Sequence, residues 1–179
     1  MKAILTSLVV AAICSTSFSV QASGLFKKKT PHERYAKQLE KDGLAETPLG
    51  RQWMEVSEAA LEHPHTISVP YRQTGYFQID KPRSLGLKFS AKRGQRITFS
   101  VDKKTGANFV LYTDLFKVDG DDTEHIQSPD TLESTFYIDV EETGHYLLRL
   151  QPELYRTGTY ELSVSVGPSV GFPVSGTAR

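Results

Sequence analysis

Two stretches near the C-terminus decide the fold class: TGHYLLRL at residues 143–150 and TGTYELSV at residues 157–164. Each begins with a Thr-Gly-x-Tyr turn and continues with apolar side chains at every second position, the period of a half-buried β-strand. We expect the two strands to pair with each other, with intervening polar side chains such as Arg149 and Glu161 facing water. The pair predicts an antiparallel sheet.

The same period of two begins at Thr66 and recurs as far as Val166. Glycine turn signals separate the runs, and they fall at Arg93-Gly94, Thr105-Gly106, Asp119-Gly120, Thr143-Gly144 and Thr157-Gly158. About eight short strands with no helical pattern between them favour a mainly β chain, either an antiparallel β-sandwich or a jelly roll. A parallel α/β fold would need crossover helices, and the pattern contains none.

Two short helices are predicted before the strands. Thr30-Pro31-His32-Glu33 combines a capping residue, a proline at the first helical position and a glutamate that closes a capping box. A second start at Thr47-Pro48 precedes an apolar stripe centred on Trp53, and His63-Pro64 stops it. We expect the helical pair either to dock on the sandwich through Trp53 or to connect the sandwich to something else.

The first residues have the pattern of a secretory signal peptide. Lys2 precedes an apolar run from Ala3 to Ile13, and a polar stretch ends at Ala22, where we expect cleavage. The run is shorter than the roughly 20 residues of a membrane span. We therefore expect a periplasmic or extracellular protein without a membrane span, divided into residues 1–22 (signal peptide), 23–64 (helical segment), 65–167 (β-sandwich) and 168–179 (linker-like tail).

Charge and cysteine content exclude several classes of protein. The 179 residues carry 21 basic and 21 acidic side chains, a balance that argues against nucleic acid or an anionic membrane as the main partner. Cys14 is the one cysteine, and cleavage after Ala22 would remove it. The mature chain is then expected to contain no disulfide, and one hydrophobic core can stabilise a domain of this length.

The search for catalytic chemistry is negative. His63-Pro64-His65 has the spacing of two metal ligands on a strand, but the proline interrupts pairing, and we predict no metal site and no cofactor. The acidic stretch Asp119–Glu124 lacks the ligand spacing of an EF-hand and is interpreted as a hairpin tip. No Gly-x-Ser-x-Gly elbow occurs, and Glu141-Glu142 is poorly placed for a glycosidase pair. We expect no enzyme activity.

One stretch indicates recognition. YRQTGYF at residues 71–77 places three aromatic side chains and a basic one about an expected turn, and the candidate ligand-binding residues are Tyr71, Arg72, Tyr76 and Phe77. Aromatic faces stack on the apolar faces of sugars and anchor protein interfaces. The alternative interpretation is that these are ordinary strand aromatics.

Several motifs in chain order resemble the N-terminal region of secreted bacterial lysostaphin-type zinc metallopeptidases. They are PHERYA (31–36), LGRQW (49–53), YRQTGYF (71–77), YLLRLQPEL (146–154), GPS (167–169) and FPV (172–174). The Thr-Gly-x-Tyr strands are also similar to the pre-peptidase sandwich domains of other secreted proteases. The resemblance implies a non-catalytic region beside a peptidase that cuts peptidoglycan cross-links.

In that family a His-x-x-x-Asp motif and a later His-x-His motif hold the zinc in a separate C-terminal domain. No histidine here has the aspartate: His32 is followed four residues on by Ala36, His63 by Ile67 and His145 by Arg149. His63-Pro64-His65 precedes the sandwich and does not correspond to the zinc pair. The resemblance therefore implies that the catalytic domain is missing, and the tail ending at Arg179 resembles a shortened linker.

Three hypotheses of function follow. The leading one is a secreted accessory module that positions or restrains a cell-wall metallopeptidase at peptidoglycan. The alternatives are a free-standing envelope protein that binds glycan or peptide, and an inhibitory pro-segment. Their partners would be peptidoglycan or a metallopeptidase catalytic domain, and the sequence leaves the oligomeric state open.

Overall fold

The computed structural model describes residues 28–104, 109–120 and 122–170. Within these ranges two helices precede nine strands in two sheets, which confirms the predicted mainly β fold. The elements are α1 (Pro31–Lys41), a 3₁₀ turn (Leu44–Glu46), α2 (Pro48–Glu62), β1 (His65–Thr66), β2 (Tyr71–Phe77), β3 (Leu85–Ala91), β4 (Gln95–Lys103), β5 (Leu111–Asp119), β6 (Asp122–Gln127), β7 (Thr135–Asp139), β8 (Gly144–Pro152) and β9 (Gly158–Pro168). The predicted signal peptide, the Thr105-Gly106 turn and residues 171–179 of the tail lie outside the described residues.

The strand order is that of a jelly roll. One sheet has the order β1-β3-β8-β5-β6 and the other the order β2-β9-β4-β7. The antiparallel pairs β2–β9, β3–β8, β4–β7 and β5–β6 nest one inside the next along the chain, as they do when a long hairpin wraps into two Greek keys. The ninth strand, β1, adds two residues parallel to β3 at the edge of the first sheet.

The expected pairing of the two Thr-Gly-x-Tyr strands is wrong. Both stretches do begin strands, β8 and β9, but β8 lies between β3 and β5, whereas β9 lies between β2 and β4 in the other sheet. The connection between them crosses from sheet to sheet, and Leu154 within it is buried against the helices. Tyr146 and Tyr160 therefore meet the same core from opposite sheets.

The core between the sheets is built by the alternating apolar positions. It contains Phe89, Phe99, Leu148 and Leu162, each at most 1% exposed. Period-2 alternation puts these side chains on the inner faces of their strands. The predicted apolar alternation therefore identified the inner faces correctly.

A second apolar cluster lies on the outer face of the five-stranded sheet, where the helices dock. Trp53 is 1% exposed, packs with Leu39, Tyr112 and Leu154, and donates a 2.8 Å hydrogen bond from Nε1 to the Pro152 carbonyl. Docking through Trp53 is thus confirmed. Because β8 is covered on both faces, Arg149 is 7% exposed, and the expectation that it faces water is wrong.

Local signals predicted the helix ends well. Thr30 Oγ1 accepts a hydrogen bond from the Glu33 backbone at 3.1 Å, and Glu33 Oε2 accepts one from the Thr30 backbone at 2.9 Å. These two bonds form the predicted capping box. Gly43 follows α1 with φ of 72°, and His63 caps the end of α2. None of the described helices is long and apolar enough to cross a membrane.

Candidate functional site

The sequence candidates lie on a strand rather than at a turn. Residues 71–77 form β2, an edge strand of the four-stranded sheet, and pair with β9 along its whole length, so the expected turn is wrong. Tyr71 and Phe77 point towards the core, while Arg72 and Tyr76 are exposed. Alternation therefore divides the four candidates between two sides of the strand.

Two of the four candidates line a groove at the edge of the sandwich. This edge groove, with a volume of about 450 Å³, is formed by the C-terminal part of α2, by β1, by β2 and by the β2–β3 connection. Tyr76 and Phe77 are among its lining residues, and Tyr71 and Arg72 are not. Arg72 lies on the solvent side of β2.

A chain of hydrogen bonds fixes the floor of the edge groove. Tyr71 Oη donates to Gln73 Oε1 at 2.7 Å, and Gln73 Nε2 donates to Tyr160 Oη at 3.1 Å. The Tyr160 ring stacks on Phe77, with centroids 4.7 Å apart and planes 22° apart. Tyr71 thus contributes to the groove indirectly, because it holds Gln73.

Gly75 makes room for the Tyr160 ring. A Cβ built on Gly75 would lie 2.3 Å from the ring and hydroxyl atoms of Tyr160, closer than any real contact. Burial raises the pKa of the Tyr160 phenol; the Tyr71 phenol adds to this rise and the Arg83 guanidinium acts against it. The Tyr160 hydroxyl therefore keeps its proton at neutral pH and lies within the field of Arg83.

Tyr76 is the exposed aromatic residue among those that line the edge groove. Its side chain is 57% exposed, and its Oη lies 2.7 Å from Thr157 Oγ1, to which the phenol can donate. Thr157 Oγ1 in turn donates its own proton to the Phe77 carbonyl at 2.9 Å. An exposed ring held at its hydroxyl end offers a face to a ligand at a low entropy cost.

The one formally charged side chain of the lining is positive. Arg83 comes from the β2–β3 connection, and His63 and His65 come from the end of α2 and from β1. No aspartate or glutamate is among the fourteen residues that line the edge groove, all of them in the described part of the chain. The groove is therefore suited to an uncharged or anionic ligand rather than a cation.

Sequence reasoning missed Gln73, Arg83 and Tyr160. Arg83 lies in the connection that follows β2, whereas Tyr160 lies on β9, distant along the chain, and only the tertiary structure brings both to one groove. His63 and His65, which have the spacing of two metal ligands on a strand, both line the edge groove. Among the described residues, no group of three or more His, Cys, Asp or Glu side chains could hold a metal ion.

A second polar cluster lies between the helices and the five-stranded sheet. Arg149 donates to Asp114 Oδ2 from Nη2 at 2.6 Å and from Nε at 3.2 Å, and it donates to Ser57 Oγ at 3.0 Å. His32 Nε2 lies 2.8 Å from Gln151 Oε1, and burial lowers the pKa of His32 to about 4, with the Arg149 charge adding to the effect. These residues join α1, α2, β5 and β8.

One part of this cluster has the residue types of a hydrolase triad in a different arrangement. Ser128 Oγ donates to Asp114 Oδ1 at 2.5 Å and lies 2.8 Å from His125 Nε2. In a nucleophile triad the histidine accepts the serine proton. Here the proton goes to a carboxylate that already pairs with Arg149, so the arrangement is a structural bridge.

The acidic stretches noted in the sequence, residues 119–124 and Glu141-Glu142, lie away from the edge groove. Asp119 and Asp122 face each other at the β5–β6 hairpin, so the predicted hairpin tip is confirmed. Glu142 is exposed and pairs with Lys117, which lowers the pKa of Glu142. Neither feature adjoins the edge groove.

No protein-family model matches the chain, and no curated protein matches it significantly. Solved structures match part of it. A periplasmic inhibitor of g-type lysozyme, PliG from Aeromonas hydrophila, is 16% identical over 57% of this chain and 94% of its own, with a TM-score of 0.44. The pre-peptidase C-terminal domain of a collagenase from Bacillus anthracis is 20% identical over 59% of this chain and 96% of its own, with a TM-score of 0.41. Likenesses this distant indicate nothing about what this chain binds.

Proposed function

We propose that this chain is a secreted, non-catalytic module that binds peptidoglycan through the edge groove and so positions or restrains a cell-wall metallopeptidase. The observation that carries the proposal is the composition of the edge groove: the exposed residue Tyr76 is among its lining residues, together with the hydrogen-bonded Gln73 and Tyr160. Sugar rings stack on exposed aromatic faces, and their hydroxyl groups bond to such polar side chains.

The context of a peptidase is supported by the resemblance of six motifs to lysostaphin-type enzymes, four of which are longer than three residues. Three of these four, residues 31–36, 49–53 and 146–154, meet where the helices dock on β8, and the fourth, residues 71–77, is the strand that carries Tyr76. These four motifs thus correspond to one structural unit and one candidate binding strand. We propose that this unit presents the edge groove to the cell wall beside a catalytic domain.

Binding to insoluble peptidoglycan sacculi tests the proposal. The secreted protein is mixed with sacculi at increasing concentration, and the fraction that sediments is measured. Tyr76→Ala should weaken binding about tenfold, because loss of one stacked ring costs about 1–2 kcal/mol. Alanine at Tyr71 or Phe77 is a poor test, because these side chains pack in the core.

Tyr137→Ala is the matched control. Tyr137 is 56% exposed and lies on β7, the opposite edge strand of the same sheet, where it stacks with the Arg96 guanidinium at 4.0 Å. The Tyr137→Ala variant should bind sacculi as tightly as the unmodified protein does. Equal binding by the Tyr76 variant, or no sedimentation of the unmodified protein, would remove the edge groove as a peptidoglycan site.

A further inference from the structure

Among the described residues, the lining of the edge groove contains a basic residue and no acidic one, although the chain as a whole is balanced in charge. The basic residue is Arg83, which two histidines accompany, while the chain has 21 basic and 21 acidic side chains. A second groove, beside β6 and β7, is lined by four carboxylates, Glu124, Asp139, Glu141 and Glu142, together with Lys117. Carboxylates thus line this second groove and are absent from the lining of the edge groove, all of whose residues are in the described part of the chain.

Arg83 forms no ion pair with a carboxylate of the described residues, unlike Arg96, Arg149 and Arg156. Arg96, Arg149 and Arg156 each pair with an aspartate or glutamate within 3.1 Å. In the described part of the chain no carboxylate lies within 4 Å of the Arg83 guanidinium, and the Arg83 side chain is exposed. A guanidinium offers five N–H donors in a planar fork that matches a carboxylate.

Hydroxyl donors accompany this charge. Tyr160 is 4% exposed and its Oη accepts from Gln73, which leaves the phenolic proton for an acceptor in the groove. The Ser84 hydroxyl, in the residue next to Arg83, is buried without a hydrogen-bond partner among the described residues. A guanidinium and a phenolic donor at one groove form the usual recognition set for an anionic oxygen group.

We infer that the ligand of the edge groove is anionic, a sugar or peptide whose carboxylate binds the Arg83 guanidinium and the Tyr160 hydroxyl while its body packs on Tyr76. This inference rests on the edge groove being the site proposed above. It adds the ligand's charge, which the binding of sacculi alone does not reveal. A cationic ligand would lie beside Arg83 with no carboxylate in the lining to balance it.

Two pairs of small probes separate the possible sources of the carboxylate. N-acetylmuramic acid and N-acetylglucosamine share a sugar ring, and only the first has a carboxylate. Acetyl-D-alanyl-D-alanine and its C-terminal amide differ in the same way. Each probe is titrated into the protein to millimolar concentration. Nuclear magnetic resonance measures the chemical-shift changes of the backbone amides around Gln73, Arg83 and Tyr160.

At least one acid should shift these amides, and its neutral counterpart should bind about tenfold more weakly or not at all. Arg83→Gln should remove this difference, and Arg83→Lys should keep part of it, because lysine retains the charge without the planar fork. Arg93→Gln removes the same charge from an exposed residue in the β3–β4 turn, at the other end of β3, and should change nothing.

Equal shifts by an acid and its neutral counterpart, or no shift of these amides by either acid, would overturn the inference. Sacculi whose carboxylates have been converted to amides distinguish the proposed peptidoglycan binding from the inference that the ligand is anionic. Loss of binding on amidation supports both proposals. Binding that is unchanged by amidation and by Arg83→Gln overturns the anionic ligand and leaves the peptidoglycan site standing, while no binding to native sacculi overturns the proposed function.

Discussion

The buried His32 ring packs against an aromatic side chain and forms a hydrogen bond. Its ring is 4% exposed, stacks on Trp53 with centroids 4.8 Å apart, and bonds to Gln151 at 2.8 Å. Gln151 in turn donates to the Trp53 carbonyl at 2.8 Å. One histidine at the start of α1 therefore fixes the helix against both α2 and β8, in its uncharged form.

The titration of His32 makes stability depend on pH. Burial lowers its pKa from 6.5 to about 4 in the folded protein, so the unfolded chain takes up this proton first as the pH falls. The stabilisation is fully present above pH 6.5 and is lost as the pH falls to about 4, and it amounts to about 3 kcal/mol. Urea unfolding at pH 7 and pH 4.5 should show this loss, and His32→Gln should show much less of it.

His145→Gln is the control for the histidine prediction. His145 is exposed on β8, where its ring lies 3.1 Å from Ser90 Oγ. This variant should lose as much stability between pH 7 and pH 4.5 as the unmodified protein. An equally large loss in the His32 variant would show that other groups cause the acid sensitivity.

Gly86 sets the distance between α2 and β3. A Cβ built on Gly86 would lie 1.8 Å from the Ala60 carbonyl oxygen, which belongs to the helix backbone and has no flexible end to move away. Gly86→Ala should therefore lower the free energy of unfolding by roughly 3 kcal/mol and the melting temperature by about 10 °C. Gly144→Ala, where nothing lies within 4 Å, should change stability by less than about 0.5 kcal/mol. Equal melting temperatures for the two variants would refute this account.

At the scale of elements, the buried ion pair of Asp114 and Arg149 joins β5 to β8 and, through Ser57, to α2. Asp114 is 1% exposed, so its charge depends on Arg149 and Ser128 for compensation. Removal of one partner from a buried pair leaves an uncompensated charge, which costs about 3–5 kcal/mol. The pair therefore determines how well the helices and the sheet fit together.

A double-mutant cycle measures this coupling. Asp114→Asn and Arg149→Met should each destabilise strongly, and the double variant should lose at least about 2 kcal/mol less than the sum of the single losses. The same cycle on the exposed pair Lys104 and Glu161, whose charged atoms are 3.0 Å apart, should give a coupling below about 1 kcal/mol. Additive losses at Asp114 and Arg149, as measured by chemical denaturation, would contradict the prediction.

Local sequence signals predicted the helix starts correctly but not the pairing of the strands. Both helices start at their predicted caps, because a cap is satisfied by residues three positions away. The pairing of β8 with β9 was wrong because strand order depends on contacts between distant residues, such as Leu87 with Leu148. The turn expected within YRQTGYF does not form, and Gly75 instead accommodates the Tyr160 ring inside a strand.

At the scale of the whole molecule, the helices cover one sheet and leave the outer face of the other sheet to solvent. β5 and β8 are buried along most of their length, whereas β2 and β9 alternate between buried or partly buried and exposed positions. The edge groove lies beside the uncovered sheet, at the side where β2 and the β1–β3 edge come together. The helices thus cover the outer face of the five-stranded sheet, and the end of α2 also forms one side of the edge groove.

The whole molecule is expected to bind peptidoglycan without cutting it. This expectation follows from the proposed non-catalytic function. Incubation of the purified protein with peptidoglycan, with and without added zinc, should release no soluble muropeptides, as measured by chromatography. A lysozyme digest is the positive control, and muropeptide release by this protein would contradict the proposed function.

The sequence by itself determined the fold class, both helix starts, the docking residue Trp53 and the inner faces of the strands. These follow from capping, turn residues and hydrophobic periodicity, which act between residues close in the chain. For the candidate site it supplied Tyr76 and Phe77. The tertiary structure decided the strand order, the burial of Arg149 and the assembly of Arg83 and Tyr160 at the edge groove, because each depends on contacts across two sheets that no local pattern encodes.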